Sequence, residues 1–179
     1  MDIGAGLKAI EASGLAGWIR DSLYAFPLIE SFHVIGLTMT FGTIAILDLR
    51  MLGLASANRP FTRVAEVLKW TWAAFGLTVL TGGLMFITNA SVYFSNRQFQ
   101  WKMALIALSG LNMLIFERTC GRNVRRWDND KTAPPSGKLA AILSLVLWIS
   151  VIFLGRWIGF TTTGNRTPDT EINLDDLFQ

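Results

Sequence analysis

Four long windows with almost no charge constrain this chain more than any other feature. They cover about residues 23–47, 64–87, 97–116 and 139–160. A helix rises about 1.5 Å per residue, so about 20 residues cross a hydrocarbon core of about 30 Å. Charged residues make up only 16% of the chain, whereas soluble domains average about 25%. The windows therefore predict an all-α membrane protein, with a bundle of four transmembrane helices forming a single domain over residues 1–160.

The basic residues between these windows and near their ends predict the orientation. One side of the membrane would carry Arg50, Arg59, Arg63, Lys69, Arg118, Arg122, Arg125, Arg126, Lys131 and Lys138, and the other Lys8, Arg20, Arg97, Lys102, Arg156 and Arg166. Because Lys and Arg accumulate in cytoplasmic loops, the first set is expected in the cytoplasm. We therefore expect a multi-pass protein of the bacterial inner membrane with both termini in the periplasm. The net charge of +3 reflects this topology, and no nucleic-acid partner is predicted.

Two segments flank the predicted bundle. Apolar residues recur at helical spacing near the start of the chain, at Ile3, Leu7 and Ile10. This pattern predicts an amphipathic helix in the outer membrane interface, broken at Ser13-Gly14. Residues 161–179 form a polar, acidic tail that cannot build its own core, so we expect it to be disordered or ordered by a partner. Asp48-Leu49-Arg50 is predicted to close the first span.

His33 is the only histidine and lies ten residues into the first window, which is about 15 Å of helix and near the middle of the bilayer. Glu30 lies three residues earlier, so the two should share a helical face. Ionisable groups at this depth are costly and are functional candidates. We therefore expect both side chains to face the interior of the bundle.

Three roles for His33 remain open at this point. It could form a hydrogen bond with Glu30 that fastens the first span to a neighbouring helix. It could be an axial ligand of haem b, with Glu30 orienting the imidazole. It could also belong to a relay for protons or metal ions. A zinc or copper site within this chain is disfavoured, because one histidine and the single Cys120 are too few ligands.

Further candidates follow from the haem hypothesis. Lys102 and Arg97 lie at the outer end of the third window, where they could meet the haem propionates, although a lysine there could also simply snorkel to the interface. No second histidine is available as a sixth ligand, so Met85 or Met103 is a candidate, and an open site is the alternative. Methionines in apolar helices usually serve packing.

Three segments of the sequence form a recognisable pattern: YAFPLIESFHVIGL at residues 24–37, DLRMLG at residues 48–53 and FQWK at residues 99–102. With this pattern the chain resembles a widespread family of uncharacterised bacterial four-helix membrane proteins. The resemblance extends over about residues 18–160. It implies the four-helix fold and assigns no activity.

More distantly, a histidine in the first helix and a lysine opening the third are similar to two other groups. These are the copper-resistance-D type of membrane protein and the integral-membrane protoporphyrinogen oxidase, a haem-b protein in which a histidine and a lysine matter. His33 and Lys102 occupy the matching positions, although the flanking motifs differ and the third helix here ends in Glu117-Arg118 with no histidine. This resemblance implies haem b as the cofactor.

We therefore predict a haem-b-binding inner-membrane protein that acts as the electron-transfer subunit or anchor of a larger redox complex. It would not be an enzyme by itself, although it could serve as a subunit of an oxidoreductase. The alternative is a non-catalytic structural or assembly subunit, which would contact other subunits or further copies of the chain. Copper or ion handling is the third hypothesis.

The predicted orientation can be tested by cysteine labelling in a Cys120→Ala background. A membrane-impermeant thiol reagent added from the periplasmic side should modify a cysteine introduced at Asn165 and should not reach one at Asn129. Permeabilised cells provide the control, because both positions should then react. The reverse pattern in intact cells would contradict the orientation.

Overall fold

A computed structural model describes residues 3–56 and 58–163 of the chain, with side chains described as far as Phe160. The regular elements of these residues are all helices, and short 3-10 segments lie at Ala65–Val67 and Gly121–Arg126. The α-helices are α1 Ile3–Glu11, α2 Gly14–Asp21, α3 Ala25–Leu52, α4 Phe61–Val64, α5 Leu68–Thr88, α6 Ala90–Ser95, α7 Arg97–Thr119 and α8 Pro135–Thr163.

Four helical segments are long and apolar enough to cross a membrane: Ala25–Leu52, Phe61–Thr88, Arg97–Thr119 and Pro135–Phe160. The prediction of four such helices is confirmed. Asp48-Leu49-Arg50 was predicted to close the first span. Helix α3 instead continues to Leu52, and Gly53 is its C-cap. Gly53 has a φ of +77° and its N–H donates to Arg50 O at 3.1 Å. A left-handed residue of this kind is a common helix end, and glycine adopts it without strain.

The four long helices pack as two pairs, and one helix of each pair contacts the other pair. Helix α3 packs against α5, α7 packs against α8, and α3 also packs against α8. Large apolar side chains point outward, as shown by the exposure of Leu80 (63%) and Phe153 (68%). Such a surface is compatible with lipid and costly in water. Helix α7 has the least burial of the four.

The two short helices α1 and α2 dock against the connection between α5 and α7. Ser13 caps α2 by accepting a hydrogen bond from Ala16 N, and Ala16 and Ile19 are fully buried. The guanidinium of Arg20 donates to the carbonyl oxygen of Thr88 at 2.9 Å. We call this the amino-terminal end of the bundle.

A carboxylate fastens α1 to α6 at the same end. Glu11 Oε1 accepts hydrogen bonds from Ser91 Oγ at 2.6 Å and from Ser91 N at 2.7 Å. These bonds hold the pKa of the Glu11 carboxyl below its ordinary value, because they favour the ionised form. The helices predicted near the start of the chain are present, and their placement in a membrane interface stays a prediction. The acidic tail lies outside the described residues apart from the end of α8.

At the opposite end, residues 53–56, 58–67 and 117–134 fold together, and we call this the basic end. Its centre is Arg50, which is fully buried. Arg50 Nε donates to Arg59 O at 2.8 Å, Nη1 to Lys131 O at 3.3 Å, and Nη2 to Asp130 O at 2.9 Å and to Asp128 O at 3.2 Å. One side chain therefore joins two loops to the end of α3.

An apolar cluster lies beside this guanidinium. It contains the buried residues Leu47, Met51, Phe61, Val64, Cys120, Trp127, Ala133 and Ala141. The rings of Phe61 and Trp127 are in contact, with centroids 4.9 Å apart. Asp128 accepts hydrogen bonds from both the amide and the hydroxyl of Thr62, at 2.7 and 2.9 Å. The polar segment 117–134 is thus part of a folded cap over this end of the bundle.

Arg50→Lys should lower the free energy of unfolding by about 2 kcal/mol or more, because an ammonium group cannot serve four carbonyls arranged around a planar fork. Arg59→Lys is the matched control, since Arg59 is exposed and contributes its backbone carbonyl to the network. Unfolding in mixed detergent, followed by circular dichroism, gives both values. Equal stability of the two variants would contradict the role assigned to Arg50.

Candidate functional site

His33 lies between α3 and α5 and is half-buried. Its Nδ1 is 3.0 Å from the carbonyl oxygen of Thr78 and 3.1 Å from Thr81 Oγ1. A carbonyl can only accept, so the short contact with Thr78 selects the tautomer with the proton on Nδ1. The lone pair of the ring then lies on Nε2. The expectation that His33 faces a neighbouring helix is confirmed.

Two glycines bring α3 and α5 close together around this ring. A Cβ at Gly36 would lie 2.7 Å from Thr78 Oγ1 and 3.1 Å from Ala74 O. A Cβ at Gly82 would lie 3.0 Å from His33 Cε1. The 2.7 Å distance at Gly36 is shorter than a side-chain contact allows, and the 3.0 Å distance at Gly82 could be relieved only by a shift of the His33 ring. Hydrogen bonds therefore hold the imidazole at Nδ1, and Gly82 packs closely against the adjacent Cε1.

Lys102 approaches the same region from α7. Its side chain is half-buried, and Nζ lies 3.4 Å from where a Cβ of Gly155 in α8 would be. The amine is also near enough to interact electrostatically with His33. Its neighbour Trp101 is 60% exposed. The polar side chains of α3, α5 and α7 thus lie in one part of the bundle, and α8 presents a glycine there.

The other predicted residues lie further from this region. Glu30 is exposed, so the prediction that it faces the interior is wrong for the isolated chain. A position three residues away is rotated by about 60° around the helix, which carries Glu30 off the face of His33. Its carboxylate is still within electrostatic range of the ring. Arg97 is exposed at the start of α7 and Met85 is half-buried, while Met103 is 49% exposed.

The partners of His33 were not predicted, although the sequence contains a signal for them. Buried or half-buried threonines recur along α5 at spacings of seven and three residues, at Thr71, Thr78, Thr81 and Thr88. This spacing marks a single helical face. The spacing alone does not show that this face meets the histidine.

Side chains that could form a metal site without a macrocycle are not gathered anywhere in residues 3–56 and 58–163. No group of three or more His, Cys, Asp or Glu residues capable of holding an ion lies in those ranges. The prediction that zinc and copper are disfavoured as metals for this chain stays a prediction. A single imidazole with a fixed tautomer remains the best candidate ligand.

Comparison with known proteins gives one match. The model of a family of unknown function, DUF6644, matches residues 10–161. No curated protein and no solved structure matches the chain. The resemblance to an uncharacterised family is thereby confirmed, and the more distant resemblances stay predictions.

Gly36→Ala should destabilise the bundle by about 1–3 kcal/mol, because the added methyl group meets backbone and hydroxyl atoms of α5 that cannot move independently. Gly42→Ala is the matched control in the same helix, since a Cβ there has no neighbour within 4 Å. Thermal unfolding of the two purified variants tests this. A loss of stability at Gly42 as large as that at Gly36 would contradict the close approach of α3 and α5.

Proposed function

The chain belongs to the DUF6644 family, whose function is unknown, and we propose that it binds haem b through His33 and carries electrons as a subunit or anchor of a larger membrane redox complex. The observation that carries this proposal is the hydrogen bond between His33 Nδ1 and the Thr78 carbonyl. Metal-binding histidines usually donate their second ring nitrogen to a carbonyl or carboxylate, which orients the ring and makes the other nitrogen a better ligand. His33 has this arrangement.

The residues around His33 suit a haem in further respects. Gly155 leaves the wall of α8 without a side chain beside the Lys102 amine, and Gly82 lets α5 pack against the Nδ1–Cε1 edge of the imidazole. Lys102 and Arg97 would hold the propionates, with Arg97 at the exposed start of α7. When bound, the haem supplies a one-electron carrier within the membrane.

The remaining neighbours have narrower roles in this proposal. Met85 is the better candidate for a sixth ligand, because Met103 points outward with 49% exposure. Glu30 would act through its charge, since the hydrogen bonds of Nδ1 go to Thr78 and Thr81. The chain itself would hold and tune the cofactor, and any substrate chemistry would belong to its partner subunits.

The same proposal covers location and partners. The protein would reside in the bacterial inner membrane with the basic end in the cytoplasm and both termini in the periplasm, as the distribution of Lys and Arg favours. Helices α1 and α2 would then lie in the outer interface, with the exposed Trp18 at headgroup level. The acidic tail would bind a neighbouring subunit or a further copy of the chain.

A structural role is the second candidate, and it rests on the same contact. The bonds from His33 to Thr78 and Thr81 fasten α3 to α5, which is sufficient reason for a histidine in a subunit that only assembles a complex. Ion handling comes third, because His33 and Lys102 are two ionisable groups within one polar region. A visible absorption spectrum separates the first candidate from the other two.

The haem proposal predicts a Soret band in protein purified from cells supplied with haem. His33→Ala should abolish this band, because no other imidazole exists in the chain. Lys102→Ala should weaken haem binding by about tenfold and leave the iron spectrum unchanged, because it removes one charge-assisted contact. Glu30→Gln should shift the midpoint potential more than the occupancy.

Ser31→Ala is the control, since Ser31 is an exposed neighbour of His33 and should bind haem like the wild type. Absence of Soret absorption in the wild-type protein would refute the haem proposal. If His33→Ala then still lowers the thermal stability of the bundle, the structural role takes its place.

A further inference from the structure

Asp48 is a buried carboxyl group that the proposed haem site does not use. It lies on α3 and is 3% exposed. The hydroxyl of Ser144 in α8 is hydrogen-bonded to it. Its Oδ2 atom is buried and has no hydrogen-bond partner among the described residues. A buried carboxylate oxygen without a partner is rare in folded proteins and calls for a physical explanation.

The surroundings of Asp48 provide no compensating positive charge. Among the described residues, the group that contacts this carboxyl is the Ser144 hydroxyl, and no cation lies within hydrogen-bonding distance of Oδ2. Arg50 is only two residues away, but this spacing turns the two side chains to different faces of α3. The guanidinium also has its own partners, the carbonyl oxygens at the basic end. Asp48 and Arg50 are therefore two buried ionisable groups that do not neutralise each other.

Apolar residues separate Asp48 from the surface of the basic end. Leu47 and Met51, which flank it in α3, belong to the apolar cluster of the cap, as does Ala141 of α8. An ionised carboxylate in such a place lacks both water and a counter-charge, at a cost of several kcal/mol. Binding a proton removes the charge and leaves a neutral acid that Ser144 can still stabilise.

We propose that Asp48 is a proton-binding site within the bundle, in contact with Ser144 and filled and emptied from the basic end. The site is distinct from His33. Asp48 lies fifteen positions further along α3, which corresponds to about 22 Å of helix. It does not depend on haem binding. The apolar cluster separates it from water, so exchange of the proton requires the cap to open.

Infrared spectroscopy of the full-length protein in lipid vesicles tests this directly. The C=O stretch of a protonated carboxyl group is resolved from carboxylate bands and shifts in D2O. At pH 7, where carboxyl groups exposed to water are ionised, the wild-type protein should show one such band. Asp48→Asn should lose it, while Asp130→Asn, which changes an exposed carboxyl, should retain it.

A second variant keeps the carboxyl and tests its contact. Ser144→Ala should move the band to higher frequency, because the acid loses its hydrogen-bond partner. This variant also decides the matter if Asp48→Asn fails to fold, as judged by gel filtration. Absence of the band in the wild type, its persistence in Asp48→Asn, or an unshifted band in Ser144→Ala would each overturn the proposal.

Discussion

The Arg50 guanidinium, surrounded by backbone carbonyls, holds the basic end of this protein together. Its partners come from the loop after α3 and from the loop before α8, and the acceptors at Arg59 and Asp130 are 2.8 and 2.9 Å away. No carboxylate takes part in these bonds. Carbonyl dipoles stabilise the buried charge without a salt bridge, and the guanidinium in turn supplies donors to carbonyls of both loops. The cap, the end of α3 and the approach of α8 all depend on this arrangement.

Helix α3 links that cap to the rest of the bundle because it packs against α5 and also against α8 of the other pair. Along its inward side lie His33, Gly36, Thr40 and Asp48, each half-buried or buried. In the middle of this side, Thr40 Oγ1 donates a hydrogen bond to the carbonyl oxygen of Gly36 in the same helix at 2.8 Å. The hydroxyl therefore needs no acceptor on another helix. The polar groups of α3 are thus divided between a region near α5 and a region near α8. This separation makes two independent sites on one helix physically reasonable.

The four membrane helices could be predicted because length and charge alone decide whether a segment can cross a bilayer. The inward orientation of His33 followed from the cost of exposing an ionisable group to lipid. Its partners Thr78 and Thr81 depend on how α5 is rotated, which local spacing does not determine. The burial of Arg50 could not be predicted from the sequence for a different reason. Its acceptors are backbone carbonyls, which every residue has, so no side-chain pattern in the sequence marks them.

The uneven burial of the long helices has a consequence for how the protein is made. Helices α3 and α5 touch through Gly36 so closely that no methyl group fits between them, whereas Ser109 is the one buried residue of α7. As the chain leaves the ribosome, α3 and α5 can associate as soon as both have been inserted. Helix α7 follows with little to hold it, and it gains its main neighbour only when α8 has entered the membrane. The insertion machinery would therefore retain α7 longest, and completion of α8 would release the finished bundle into the lipid.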